Sequence, residues 1–113
     1  MFKNLTPHVL RIQLQDDSVL ELASSGVARV ATTATPVAPV EGVPAATTAY
    51  GAVVGLPEFQ EGVTLLVSGL VLAALKESGQ LAARPDVWGP DTGPTAVRKD
   101  GQVWAVRGLT RPA

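Results

Sequence analysis

Few side chains in this sequence are of a type and spacing that could carry out chemistry. Asp91-Thr92-Gly93 has the composition of an aspartic-protease dyad, in which two aspartates share one proton across a twofold axis. Its surroundings point elsewhere. Pro90 precedes it and Pro94 follows it, and proline denies the loop the N–H donors that orient such a dyad. Asp, Gly and Pro are turn formers, so this spacing predicts an Asx-type turn leading into the last hairpin. His8 is the only histidine and there is no cysteine. That combination excludes disulfides, zinc fingers, iron–sulfur clusters and a cysteine nucleophile, and leaves no metal set of the usual kind. No G-x-S-x-G elbow exists for His8 to serve. Asp16-Asp17 and Glu58/Glu61 fall in turn-like stretches and read as solvated. Gly51, Gly55, Gly62 and Gly69 are spread along the chain rather than gathered into a phosphate loop. The expectation is no catalytic residue, no metal, no cofactor and no enzyme.

Arginine placement says more. Arg29, Arg98 and Arg107 each lie within a strand-like run. On a strand face, a guanidinium offers a flat, permanently charged, bidentate donor to phosphate or carboxylate. Tyr50 and Trp104 lie on comparable runs and offer rings for stacking. Asn4, Thr6 and His8 could line the rim of such a site. The candidate ligand-binding set is therefore Arg29, Arg98, Arg107, Tyr50, Trp104, Asn4, Thr6 and His8, with Arg111 in the tail outside it. The competing reading is a solvated sheet face with cross-strand pairs. Nine Lys+Arg against ten Asp+Glu give a net charge of −1, without the basic excess that non-specific nucleic-acid binding needs.

The elements that must hold these residues are short strands. At 113 residues the chain suits one domain spanning residues 1–113. Leu10, Ile12 and Leu14 alternate with Arg11 and Gln13, Asp16-Asp17 turns, and Val19 to Leu22 resumes: a hairpin. Ser24-Ser25-Gly26 is a second turn, and Val27 to Thr32 alternates again. Thr33 to Pro44 holds Pro36, Pro39 and Pro44 and reads as an edge segment or long loop. Ala45 to Val54 reads as a strand bent at Gly51. Val63 to Val67 is apolar throughout and reads as a buried strand. Ser68 as N-cap and Gly79 as stop bracket the one helix. Arg84 to Pro94 reads as a loop. Asp100-Gly101, between two β-prone runs, predicts a type I′ hairpin. The fold class is mainly β (a β-rich α+β fold): an antiparallel sheet or small barrel with one short buried helix near residues 68–78. That helix is apolar nearly all round, so Leu70 or Leu72 must face a core or an interface. A chain this small covers such a helix with its own sheet or with a second subunit, which predicts a homo-oligomer. The apolar stretch Val63 to Leu75 falls short of the roughly 20 residues of a membrane span, and the start lacks a signal-peptide core. The expectation is a cytoplasmic protein without membrane contact.

Asn4-Leu5-Thr6-Pro7-His8, Ser24-Ser25-Gly26-Val27-Ala28-Arg29-Val30 and Tyr50-Gly51-Ala52-Val53-Val54-Gly55-Leu56-Pro57 stand out as distinctive segments. Gln60-Glu61-Gly62 with Val67-Ser68, and Pro90-Asp91-Thr92-Gly93-Pro94 with the closing hairpin, extend the set over most of the chain. In these segments the sequence resembles a family of small uncharacterised phage, prophage and actinobacterial proteins. The resemblance implies a phage-borne protein of the host cytoplasm. Small β-rich oligomers without catalytic groups suit phage counter-defence proteins that sequester nucleotide immune signals. The function expected by that analogy is a non-enzymatic "sponge" for an anionic nucleotide-derived signal. The alternative is a small phage structural or assembly protein acting through protein contacts.

Overall fold

A computed structural model describes all residues, Met1 to Ala113. Ten strands and one helix follow in the order β1 (Phe2–Asn4), β2 (Leu10–Gln13), β3 (Val19–Leu22), β4 (Arg29–Val40), β5 (Val43–Val54), β6 (Thr64–Leu66), α1 (Gly69–Glu77), β7 (Val87–Pro90), β8 (Val97–Lys99), β9 (Gln102–Ala105) and β10 (Leu109–Thr110). A 3₁₀ turn, Leu81–Ala83, lies between α1 and β7. The expected β-rich α+β fold with one helix is present.

The apolar run around β6 sits at the centre because it is buried on both faces. The central sheet runs β1-β6-β7-β10, with β6 parallel to both β1 and β7 and β10 antiparallel to β7. Leu65 and Val67 face α1 and join Val71, Leu72, Leu75, Leu81, Val87, Leu5, Ala28 and Val30 in the main core. Leu66 points the other way, onto Ile12 and Val106, with Trp88 packed alongside. A strand with two buried faces reads as continuous apolar residues rather than alternating ones. The second face is covered by two hairpins, β2–β3 and β8–β9, joined where Val106 bridges Ile12.

Local chemistry sets the ends of these elements. Ser68 caps α1, its Oγ accepting from the Val71 N–H at 3.4 Å, and Gly79 leaves the helix at φ 77°. Gly89 lets the helix approach β7, since a Cβ there would lie 2.7 Å from Leu72 Cδ1. Asp100 and Gly101 both have positive φ, as the hairpin turn requires.

The stretch read as an edge segment or loop, Thr33 to Pro44, is instead the outer half of a long ribbon. β4 and β5 are twelve residues each and pair antiparallel from Arg29↔Val54 out to Val40↔Val43. The expected bend at Gly51 is a register shift between Val30 and Thr32. Only the root, with Val30 and Val53, packs on the core; β4 is exposed from Ala31 outward. The chain therefore extends to 54 Å with a radius of gyration of 16.5 Å. A compact chain of this length would have about 13 Å.

Three further expectations need correction. Arg84 to Pro94 is not all loop, because it contains β7, whose parallel pairing lacks the turn signals that betray a hairpin. Of the antiparallel sheet or small barrel, the barrel is not formed; four strand pairs are antiparallel as expected, around two parallel pairs, β1–β6 and β6–β7, at the centre. The helix is half-buried rather than enclosed: Val71, Leu72 and Leu75 face inward, while Leu70 is 51% exposed.

Leu72 and Leu70 accordingly separate in their response to charge. Leu72→Asp buries an unpaired carboxylate at a site 3% exposed, at a cost of several kcal/mol, about the size of a domain's whole stability. It is expected to abolish the cooperative thermal melt followed by circular dichroism, while Leu70→Asp keeps its fold. A Leu72→Asp variant melting like wild type would contradict the helix orientation.

Candidate functional site

Asn4 and Thr6 form a closed polar knot inside the protein rather than a rim. Asn4 ends β1, opposite Leu66, and is 1% exposed. Its Oδ1 accepts from the Thr6 N–H at 3.0 Å and from Thr6 Oγ1 at 2.6 Å. Its Nδ2 donates to the carbonyls of His8, at 2.6 Å, and Leu22, at 3.0 Å. These side chains are committed to the fold and do not face solvent. The His8 backbone belongs to the knot, while the residue itself is exposed.

The three expected arginines lie on different elements. Arg29 is exposed at the root of the ribbon, opposite Val54. Arg98, on β8, donates from Nη2 to the Thr92 carbonyl at 3.1 Å. Arg107 follows β9 and lines a shallow depression of about 190 Å³ with Gln13, Leu14, Gln15 and Asp17. Tyr50 is 60% exposed on β5 and borders an open cleft of about 290 Å³ with Gly51, Ala74, Glu77 and Ser78. Trp104 is half-buried on β9, with Lys99 Nζ 3.9 Å from its ring centre and the Arg11 guanidinium 5.4 Å away. Arg11 is paired across the hairpin with Glu21 at 3.1 Å. No cavity of one chain takes in more than one of the eight candidate residues.

Asp91-Thr92-Gly93 forms the Asx turn expected of it, with Asp91 Oδ1 accepting from the Gly93 N–H at 3.0 Å. Asp16 caps its own turn in the same manner. The hydroxyl and N–H of Ser18 hold its carboxyl below the usual value.

Sequence reasoning passed over a cationic cluster that is structural. Arg84 makes a two-pronged pair with the buried Asp86, at 3.1 and 3.0 Å, and donates to the Pro57 carbonyl at 2.7 Å. Arg111 donates to the carbonyls of Leu81, Arg84 and Val87 while its guanidinium lies over the Trp88 ring at 5.2 Å. It pins the tail to the body and is no neutral tail residue. The one signal available was Arg84-Pro85-Asp86, opposite charges two apart in a turn.

The knot generates a prediction. Asn4→Asp replaces a donor with an acceptor aimed at two carbonyls, at a site 1% exposed. About 3 kcal/mol of stability should be lost, read as a lower urea midpoint, with Asn4→Ala losing less. An Asn4→Asp midpoint equal to wild type would remove Asn4 from this role.

Neither a protein-family model, nor a curated protein, nor a solved structure matches this chain.

Proposed function

We propose that this chain is a non-catalytic, self-associating binding protein that sequesters an anionic, nucleotide-derived signal, in the manner of a phage anti-defence sponge acting in the host cytoplasm. The observation that carries the reading is the division among the arginines. Arg84 and Arg111 are tied to buried carboxylate and carbonyl oxygens, and Arg11 to Glu21. Arg29 and Arg107 are exposed, and their guanidiniums form no hydrogen bond or ion pair within the chain, where the ion pairs are Arg11–Glu21 and Arg84–Asp86. An unpaired guanidinium suits a phosphate-bearing ligand; Arg107 lines its own shallow depression, and Tyr50 borders a separate cleft as a ring for stacking. The Tyr50 cleft, about 290 Å³, stands at the lower edge of small-molecule sites. One chain thus supplies part of a site, and a second copy would supply the rest. The resemblance to small phage proteins supports the same reading, as does a sequence without a nucleophile elbow or metal set.

Binding of this kind is energetically sufficient. Each charge-assisted bond to phosphate contributes about 1.5–3 kcal/mol. Two or three, with one stacked ring, reach micromolar affinity after association costs. The second reading, a phage assembly protein working through protein contacts alone, is favoured by the uncharged exposed ribbon.

Calorimetry against cyclic dinucleotides and ADP-ribose-type signals separates the two. The expected result is saturable heat for at least one compound, with Arg29→Ala or Arg107→Ala weakening it about tenfold or more. No heat from any compound at protein concentrations near 100 μM would overturn the sponge reading in favour of the assembly protein.

A further inference from the structure

The β4–β5 ribbon is ordered as a strand pair yet covered by nothing beyond its root. From Val30 to Pro57 the chain carries one charged side chain, Glu41, at the tip. Glu41 and Gly42 have φ of 48° and 81°, the two-residue turn that closes a tight hairpin. The ribbon's side chains are Ala, Thr, Val and Pro with Tyr50, and Val37, Val40, Val43 and Val54 are each 45% exposed or more. A lone two-stranded ribbon is marginal in water, and its free edges invite pairing.

The prolines identify which edge is free. Pro36 stands opposite Ala46. With no N–H, Pro36 fits a paired strand without loss only where that amide would turn outward. By alternation Thr32 and Ala34 turn outward on β4, and Ala46, Thr48 and Tyr50 on β5. The outer edge of β4 is thereby interrupted at Pro36, with Pro39 beyond it in the register shift. The edge of β5 meets a proline only at its tip end, where Pro44 turns outward by the same alternation, and has none from Ala45 to Val54.

We infer that this edge is the seam between two copies of the chain, β5 pairing antiparallel with the partner's β5 about a twofold axis at Thr48. Thr48 pairs with its own counterpart, and Ala46 pairs with the partner's Tyr50. The hydrogen-bonded stretch runs from Ala45 to the register shift at Gly51, and each tip lies beyond it, beside the root of the other ribbon. The seam is a second copy rather than another partner because it is self-complementary and closed. It uses the same edge twice, confines Pro44 to the two ends of the seam, and leaves the β4 edges interrupted at Pro36 outside, so association stops at the pair. Between Arg29 at the root and Glu41 at the tip the ribbon is uncharged, and that length offers nothing to phosphate or to an acidic or basic protein face. Twelve residues per strand make a face of roughly 40 by 10 Å. The one seam that the two arms share buries on the order of 800 Å² counting both sides, the size of a weak, concentration-dependent association, with main-chain hydrogen bonds along it. The inference rests on the self-association in the function proposed above and not on the ligand.

The chain lacks cysteine, so a single introduced thiol reports the seam directly. In the full chain, Thr48→Cys places two thiols on residues whose Cα atoms are about 5.5 Å apart, within disulfide reach. Ala34→Cys, on the outer edge of β4, places them far apart. Under mild oxidation Thr48→Cys should form a covalent dimer at least about tenfold faster than Ala34→Cys, and native mass spectrometry of the wild-type chain should show an even number of copies. Equal rates for the two variants, or a wild-type monomer at tens of micromolar, would overturn the seam. Cross-linking without ligand heat would keep the seam and remove the sponge; ligand heat from a monomer would do the reverse.

Discussion

The side-chain amide of Asn4 has two donor hydrogens and one acceptor oxygen to place, and the fold depends on where they go. The oxygen turns the chain at Thr6, and the nitrogen holds the His8 and Leu22 carbonyls. The backbone carbonyl of the same residue accepts from the Ser25 N–H at 2.8 Å, and its strand neighbour is Leu66. One residue therefore fastens the central sheet, the β2–β3 hairpin and the segment leading into the ribbon. Buried polar groups satisfied this fully specify one arrangement, because each alternative leaves a donor or acceptor unpaired.

Around that point the molecule divides its chemistry. The body closes itself with polar devices anchored on backbone carbonyls: Asn4 at one end, Arg84 and Arg111 at the other. The ribbon has none of these. Between Arg29 and the tip at Glu41 its side chains are neutral and, Tyr50 apart, small, and its length lies outside the core that holds Val30 and Val53. Stability comes from the body, and the surface left uncovered is the ribbon, its root at Arg29 and the cleft beside Tyr50.

Much of the fold was legible where local chemistry decides structure. Ser68 and Gly79 bracket a helix because a cap and a positive-φ stop are short-range requirements. Asp100-Gly101 makes a hairpin for the same reason, and Asp91 an Asx turn. β1 and β7 escaped because parallel neighbours are distant in sequence and carry no turn between them. The three prolines of Thr33 to Pro44 suggested a loop, since proline removes a ladder donor; the register places Pro36 where that loss costs nothing. The candidate site was legible as residue types but not as places. Asn4 and Thr6 look like ligand contacts in a string, yet burial fills their hydrogen-bonding capacity. Arg84 and Arg111 gave little sign, because their partners are mostly backbone carbonyls, which every sequence has.

The central claim is that the body is self-sufficient and the ribbon is completed by a second copy. Hydrogen exchange followed by mass spectrometry at a series of protein concentrations tests it most directly. Amides of Leu65 to Val67 and of Val87 should exchange slowly throughout, since they lie in the core at every concentration. Amides of Ala46, Thr48 and Tyr50 should be protected in concentrated solution and lose that protection on dilution to the monomer. Ribbon amides that exchange at one rate across the whole series, whether fast or slow, would contradict the account.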